Sequence, residues 1–242
     1  MLKKYLASAF VVCSLTACGT QATTQKESTE TSSQTTTVTT MQETTTTASV
    51  NSDQATDESG VFHNGSYYYV QGKYDEIPII NKKHPIAADY NPGENGEALA
   101  QFQKLKSDMQ NFGFAISDNY SGFRSYEYQT QVYQTYVNRD GQVAVDTYSA
   151  RPGYSEHQSG LAFDLMDTSG NLLVDSAATT WLAQNAHEYG FIVRYIADKE
   201  SITGYQAETW HVRYVGQEAT EIYQSGLTLE EYFGVEGGDY AE

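Results

Sequence analysis

Aromatic side chains divide this chain into two parts with different capacities to fold. Residues 20–59 contain fifteen threonines and no aromatic residue. A segment of this composition cannot bury enough apolar surface to offset the entropy of ordering its backbone. Aromatic residues return at Phe62 and at residues 67–69 and continue to the C-terminal end. The sequence therefore predicts one globular domain over residues 60–242, preceded by a disordered tether over residues 18–59.

The first seventeen residues have the features of an export signal. Lys3 and Lys4 precede an apolar run over residues 5–12, and the tripeptide Leu-Thr-Ala leads into Cys18. A basic start, an apolar stretch too short to span a membrane and small residues before a cleavage point are typical of secretory signals. Residues 15–18 resemble the bacterial lipobox, which implies removal of residues 1–17 and attachment of a diacylglycerol to Cys18. The alternative is an ordinary signal with an incidental cysteine.

Lipidation at Cys18 would decide where the protein works. Buried acyl chains contribute about 0.8 kcal/mol per CH₂, so two or three chains hold a protein on a membrane. We therefore expect a lipid anchor, with the mature chain on the outer face of the cell membrane of a Gram-positive bacterium.

Charge and cysteine content exclude several functional classes. Fourteen Lys and Arg face 31 Asp and Glu, and the formal net charge is −17. This balance argues against a nucleic-acid partner, because the phosphate backbone is held by basic patches. Cys13 and Cys18 both precede the globular part, which therefore has neither a disulfide nor a thiol nucleophile. We expect the domain to be a monomer.

Hydrophobic periodicity and capping residues predict an α+β fold with a central, mainly antiparallel sheet flanked by helices. Asn64-Gly65 is a strong signal for a two-residue hairpin turn. The predicted elements are a hairpin of residues 61–63 and 67–71, helices over 97–112, 125–138, 176–189 and 217–224, and strands over 114–116, 161–166, 191–195 and 210–215. Ser125 and Ser176 are the expected N-caps of their helices.

Two of the five histidines stand in a context that suggests chemistry. His63, His84 and His187 have structural interpretations at a hairpin edge, before a proline and late in a helix. His157, by contrast, lies seven residues before Asp164, where a polar turn leads into a buried strand, and His211 follows much later. Two histidines and one aspartate match the three protein ligands of a catalytic zinc ion, although this spacing alone is weak support.

The two histidines and the aspartate belong to a longer motif. It consists of Ser155, His157, Gly160, Ala162 and Asp164, followed by Glu208 and His211. This pattern resembles the signature of the VanY-type D-alanyl-D-alanine carboxypeptidases, zinc peptidases grouped with the lysostaphin and sonic hedgehog folds. Residues 81–85, 121–125, 151–153 and 210–216 extend the resemblance over about residues 78–216. The lipobox, the threonine-rich tether and the early tyrosines are most similar to streptococcal members that act as L,D-carboxypeptidases.

The resemblance implies one Zn²⁺ bound by His157, Asp164 and His211, with Glu208 as the general base that deprotonates the attacking water. Residues three apart in a flat strand point to opposite faces. Glu208 and His211 can therefore both reach the metal only across a bulge or at a strand entrance. A regular strand through residues 208–211 would rule this assignment out.

Substrate contacts are also implied by the resemblance. Arg124 has a guanidinium that suits a carboxylate or a developing oxyanion, and Gln129 and Ser155 are expected to contact the substrate with it. Tyr195 is a weaker candidate for the pocket wall. The alternatives are a surface ion pair of Arg124 with Glu127, and for Ser155 a hydroxyl that stabilises a turn.

The implied substrate is the stem peptide of peptidoglycan. We favour removal of the terminal D-Ala from the tetrapeptide (L,D cleavage); the alternatives are D,D cleavage of the pentapeptide and a non-catalytic wall-binding lipoprotein. A mere binding protein has no use for Glu208, which argues against the last. The chain has neither Ser-x-x-Lys nor Gly-x-Ser-x-Gly, which argues against a serine peptidase of the penicillin-binding type and against one with a nucleophile elbow. We expect Glu156 to be exposed to solvent.

Overall fold

The computed structural model describes residues 60–241. The predicted signal over residues 1–17, the tether over residues 18–59 and the lipidation site Cys18 lie outside the described residues. Among the helices of residues 60–241, none combines the length and apolar character needed to cross a bilayer.

A small antiparallel sheet begins the described chain. It consists of β1 (Phe62–His63), β2 (Tyr68–Gln71) and β3 (Glu76–Ile79), in that order. The predicted hairpin is present, but its loop has four residues, because His63 pairs with Tyr68. The Asn64 side chain stabilises this wider loop by accepting hydrogen bonds from the backbone N–H groups of Ser66 and Tyr67. Strand β3 was not predicted; it contains Pro78 and lies at the sheet edge, where a missing N–H is tolerated.

The central sheet has four strands in the order β4-β5-β7-β6, and all its neighbours are antiparallel. The strands are β4 (Ile116–Ser121), β5 (Ala162–Asp167), β6 (Phe191–Tyr195) and β7 (Glu208–Tyr214). The α+β prediction is confirmed. A strand was predicted over residues 114–116, but β4 begins at Ile116 and continues to Ser121. Its polar residues are tolerated because β4 lies at the sheet edge and is half exposed.

The described residues contain seven α-helices, of which the first five lie between strands and the last two follow β7: α1 (Gly96–Asn111), α2 (Tyr126–Asp140), α3 (Gln142–Val145), α4 (Ser176–Asn185), α5 (Glu200–Thr203), α6 (Ala219–Ser225) and α7 (Leu229–Phe233). Ser125 caps α2 as predicted, by accepting from Tyr128 N. The cap of α4 is Asp175, not Ser176, because its carboxylate accepts from Ala178 N. After Asn185 this helix tightens into a 3₁₀ turn that ends at Gly190.

Strand alternation gives the central sheet two different faces. Phe163, Leu165, Phe191 and Val212 pack in one apolar core with α1 and α4 side chains such as Phe102 and Leu182. The intervening residues of the same strands include Asp164, Arg194, His211 and Arg213, all of them buried. The sheet therefore supports an apolar core on one face and a buried charged layer on the other.

Candidate metal centre and active site

The three predicted metal ligands meet on the charged face of the central sheet. His157 lies in a 3₁₀ turn (Glu156–Ser159) that precedes β5, and Asp164 in β5 pairs directly with His211 in β7. His157 Nε2 lies 3.2 Å from Asp164 Oδ2, and His211 Nδ1 lies 3.0 Å from Asp164 Oδ1. Ligand atoms of the three buried residues all lie within 4.8 Å of one another.

These donors fit a zinc ion. Tetrahedral ligands at 2.0–2.1 Å from zinc are about 3.3 Å apart, close to the two separations above. Within residues 60–241, the buried atoms His157 Nε2 and Asp164 Oδ1 do not meet the geometric criteria for a hydrogen bond with any group. Buried polar atoms without partners are rare and call for an explanation. A cation held between these three side chains would satisfy both atoms.

A backbone carbonyl orients His157. Its Nδ1 lies 2.8 Å from the carbonyl oxygen of Gly122, which can only accept, so Nδ1 carries the proton. Nε2 therefore presents its lone pair to Asp164 and His211. Gly160 allows the turn to return to β5: its φ is +75°, and an added Cβ would lie 2.1 Å from Gly93 O. This turn brings His157 and Asp164 together across their six intervening residues.

Glu208 reaches the same point across a bulge. Val193 pairs with Val212 and Tyr195 pairs with Glu208, so β7 contains two more residues than β6 between these pairs. The irregularity turns Glu208 towards the side of His211, with 3.7 Å between Glu208 Oε2 and His211 Nδ1. The geometric requirement stated for residues 208–211 is met.

Burial and neighbouring charges shift the protonation of these groups. Burial raises the pKa of Glu208 to about 7, assisted by Asp164 and opposed by His211 and Arg124. Burial and the nearby Arg124 lower the pKa of His157 to about 4. Burial alone would also lower the pKa of His211, but its contacts with Asp164 and Glu156 outweigh this and raise it to about 9. The carboxylate of Glu208 can therefore accept and return a proton near neutral pH.

The predicted substrate-binding residues surround the same cavity of about 330 Å³. Arg124 precedes α2, and its Nη2 lies 3.7 Å from Asp164 Oδ2, so its ion pair is with Asp164 and not with Glu127. Its buried Nε has no hydrogen-bond partner among the described residues. Tyr195 ends β6, with its ring centroid 5.0 Å from that of His211.

Gln129 and Ser155 also line this cavity. Gln129 Nε2 donates to Ala150 O at 2.7 Å, and its buried Oε1 has no partner within residues 60–241. Ser155 is 4% exposed, and its hydroxyl does not cap the turn that follows it. All the residues proposed for the site, apart from Cys18, therefore lie around one cavity.

The prediction for Glu156 is wrong. Its side chain is 2% exposed and lies between Arg194 and Arg213, which are equally buried. Because both arginines are remote in sequence, no local pattern indicated a buried carboxylate here; the only signal was its position beside His157. The remaining histidines have structural contacts, as predicted: His63 packs on Tyr68, His84 lies beside Asn81, and His187 stacks on Tyr223.

Comparison with known proteins identifies the family. A family model described as VanY, D-alanyl-D-alanine carboxypeptidase, matches residues 93–217. The structure resembles the crystal structure of the L,D-carboxypeptidase DacB from Streptococcus pneumoniae, with a TM-score of 0.74 and 61% identity over 75% of this chain and 98% of that one.

More distant relatives also match this chain. A variant of the vancomycin-resistance D,D-pentapeptidase VanY, in complex with Zn(II), is 35% identical over 64% of this chain and 96% of its own, with a TM-score of 0.56. A D-alanyl-D-alanine carboxypeptidase from Enterococcus faecalis is 35% identical over 65% of each chain. This protein is therefore a metallo-carboxypeptidase that belongs to the VanY D-alanyl-D-alanine carboxypeptidase family.

Proposed function

We propose that this protein is a zinc-dependent carboxypeptidase that removes the terminal D-Ala from the tetrapeptide stem of peptidoglycan. The observation that carries the proposal is the convergence of His157, Asp164 and His211 beside the carboxylate of Glu208 in one cavity. A zinc ion held by the first three would polarise the scissile carbonyl and make water a better nucleophile.

Glu208 performs the proton transfers. Its carboxylate takes a proton from the attacking water, whose oxygen forms a bond to the carbonyl carbon. The protonated carboxyl then gives that proton to the nitrogen of the departing D-Ala as the C–N bond breaks. Burial raises the pKa of Glu208, so its carboxylate is a stronger base than an exposed one and can take this proton.

Arg124 and Gln129 hold the end of the substrate. The guanidinium of Arg124 binds the C-terminal carboxylate, which explains why only a terminal residue is removed. Gln129 Oε1, buried and without a partner among the described residues, accepts a hydrogen bond from a substrate N–H. Ser155 and Tyr195 complete the wall of the pocket.

Similarity favours L,D cleavage over the alternative D,D cleavage. The streptococcal L,D-carboxypeptidase is 61% identical over 75% of the chain, whereas the D,D-pentapeptidase is 35% identical over 64%. This difference in overall identity is what supports L,D cleavage here.

Mass spectrometry of digested muropeptides tests the proposal. We expect the purified protein to convert tetrapeptide to tripeptide, with activity lost on zinc chelation and restored by zinc. If the protein cleaves only the pentapeptide, to give tetrapeptide, its specificity is D,D and not L,D. If it cleaves neither peptide, the proposed function is wrong.

A variant of the base tests the mechanism. Glu208→Gln should lower kcat by about 10²–10⁴-fold while zinc still binds, because general-base catalysis contributes about this much. Glu127→Gln, on the exposed side of α2, is the matched control and should keep wild-type activity. Wild-type turnover by Glu208→Gln would refute the mechanism.

We also propose that the protein works on the outer face of the membrane, attached through lipid on Cys18. The lipobox-like residues and a substrate that lies outside the membrane support this location. Cys18→Ala should abolish lipidation, detected by metabolic labelling with a fatty acid, and should shift the protein from the membrane fraction to the medium. Labelling that survives the substitution would overturn the assignment of Cys18.

A further inference from the structure

The charged face of the central sheet contains a buried carboxylate that the proposed mechanism does not use. Glu156 Oε1 accepts hydrogen bonds from Arg194 Nε and Arg213 Nη1, each at 2.8 Å. Its other oxygen, Oε2, lies 3.4 Å from His211 Nε2. Oε1 is thus fully occupied by the two arginines, and Oε2 is directed at the far side of a metal-ligand histidine.

This contact determines which nitrogen of His211 faces the metal ligands. The Glu156 carboxylate, paired through Oε1 with two arginines, can only accept at Oε2, so His211 Nε2 donates to Oε2. With Nε2 engaged, the ring turns Nδ1 towards Asp164 Oδ1, 3.0 Å away. His157 presents the opposite nitrogen, Nε2, and is oriented by the Gly122 carbonyl. The two histidines are therefore fixed by different acceptors.

We infer that Glu156 is a positioning residue, which holds the His211 ring so that Nδ1 is available for zinc. The inference rests on the proposed zinc site. A ligand histidine usually donates its second N–H to such an acceptor, which fixes the direction of the ring and contributes to metal affinity.

The anchors of Glu156 come from several parts of the fold. Arg213 Nη2 also donates to Pro78 O in β3 at 2.6 Å, and Arg194 also binds both carboxylate oxygens of Glu230 in α7. Strands β3, β6 and β7 and helix α7 therefore restrain one carboxylate. The carboxylate therefore cannot easily rotate away from His211, and a positioning residue must be rigid in this way.

If Glu156 positions His211, a change at Glu156 should weaken zinc binding by more than any loss of stability explains. In Glu156→Asp the charge still pairs with the two arginines, but the carboxylate is one methylene further from His211. We expect zinc to bind about 10–100-fold more weakly in competition with a chelator, as for other lost partners of ligand histidines. The visible spectrum of the Co²⁺-loaded protein should change as well, since it reports the ligand arrangement.

Glu230→Gln is the matched control. It disturbs the same buried network at Arg194 but leaves the Glu156–His211 contact in place. We expect a lower denaturation midpoint and an unchanged Co²⁺ spectrum. Zinc affinity should stay close to that of wild type, because the partner of His211 is preserved. Glu156→Gln, which removes the charge, should weaken zinc binding at least as much as Glu156→Asp; if it does not fold, Glu156→Asp decides alone.

Two results would overturn the inference. One is wild-type zinc affinity in Glu156→Asp, and the other is an equal loss of affinity in Glu230→Gln, which would indicate general loosening. Failure of the wild-type protein to bind zinc is a separate outcome, since it would refute the proposed function and the inference together.

Discussion

The two faces of the central sheet are equally buried and yet chemically opposite. On one face, Phe163 stacks on Phe102 of α1, with ring centroids 4.6 Å apart, and neither side chain is exposed. On the other face, Arg213 is also fully buried, and it is surrounded by carboxylate and carbonyl oxygens. Residues on the two faces of the same sheet therefore lie in two different environments.

The difference lies in what burial contributes on each face. Transfer of aromatic rings from water stabilises the apolar core directly, by roughly 25 cal/mol per Å² of apolar surface. Burial of Arg213 and Glu156 removes their hydration, and pairing at best offsets that loss. The charged face therefore contributes little to stability, but its ion pairs and hydrogen bonds fix the orientation of side chains. A metal ligand requires such a fixed orientation.

The largest expected effect is on the apolar face. Phe102→Ala should lower the free energy of unfolding by about 3–5 kcal/mol, because it leaves a cavity against Phe163 and Phe191. Denaturant titration measures the loss, and zinc affinity at low denaturant should not change. Phe112→Ala at the end of the same helix, with a ring 67% exposed, should cost less than about 1 kcal/mol. Equal losses in the two variants would contradict the comparison.

On the charged face, we expect a smaller loss of stability when an equally buried side chain is replaced. Arg213→Met should lower the free energy of unfolding by about 2–3 kcal/mol, since hydrogen bonds to Glu156 and Pro78 are lost. The methionine fills much of the volume, and Arg194 still pairs with Glu156. Chemical denaturation of Arg213→Met and Phe102→Ala under the same conditions compares the stability that each face contributes. A loss larger than that of Phe102→Ala would show that the charged layer is the main source of stability.

Arg124→Lys should affect activity rather than stability. A lysine keeps the charge but cannot bind a carboxylate with two parallel hydrogen bonds, so kcat/KM should fall about 10–100-fold, mainly through KM. Steady-state kinetics on the tetrapeptide and a melting curve separate the two effects. Arg139→Lys is the control, since Arg139 lies at the outer part of the cavity and pairs with Asp140. An unchanged KM for Arg124→Lys would remove Arg124 from carboxylate binding.

The smallest effect concerns a partly exposed pair outside the central sheet. Burial by itself raises the pKa of Asp146, but hydrogen bonds from Arg151 and Tyr133 outweigh it and hold the pKa below the ordinary 3.8. The ionised pair therefore stabilises the fold above about pH 4 and loses this contribution as the pH falls below 3.8. Asp146→Asn should lower stability by less than about 1 kcal/mol at pH 7.

The pH dependence of that difference is the test. Denaturation of Asp146→Asn and wild type from pH 7 to pH 2 should show the difference disappearing in acid. Exposed Asp89→Asn is the control and should show no difference at either end. A difference that persists in acid would mean that Asp146 acts by packing and not by charge.

Local rules predicted most of the elements because their causes are local. Phe102, Leu105 and Met109 recur at helical spacing and are all buried in α1, and Ser125 caps α2. One of the errors has its cause in strand pairing, and the other in a choice between two neighbouring cap residues. Strand β3 forms although it contains Pro78, because its other residues pair with β2. Asp175 displaces Ser176 as a cap because its carboxylate reaches Ala178 N.

The sequence by itself determined which residue types could form the site, and it predicted where the globular domain begins. The residue types at positions 157, 164, 208 and 211 are a donor set for zinc with an added carboxylate, and chain composition separates residues 60–242 from what precedes them. Only the tertiary structure decided how these groups face one another. The bulge that turns Glu208 and the arginines that enclose Glu156 depend on strand pairing between segments far apart in the chain. Such pairing is set by the packing of the whole sheet, which no local pattern encodes.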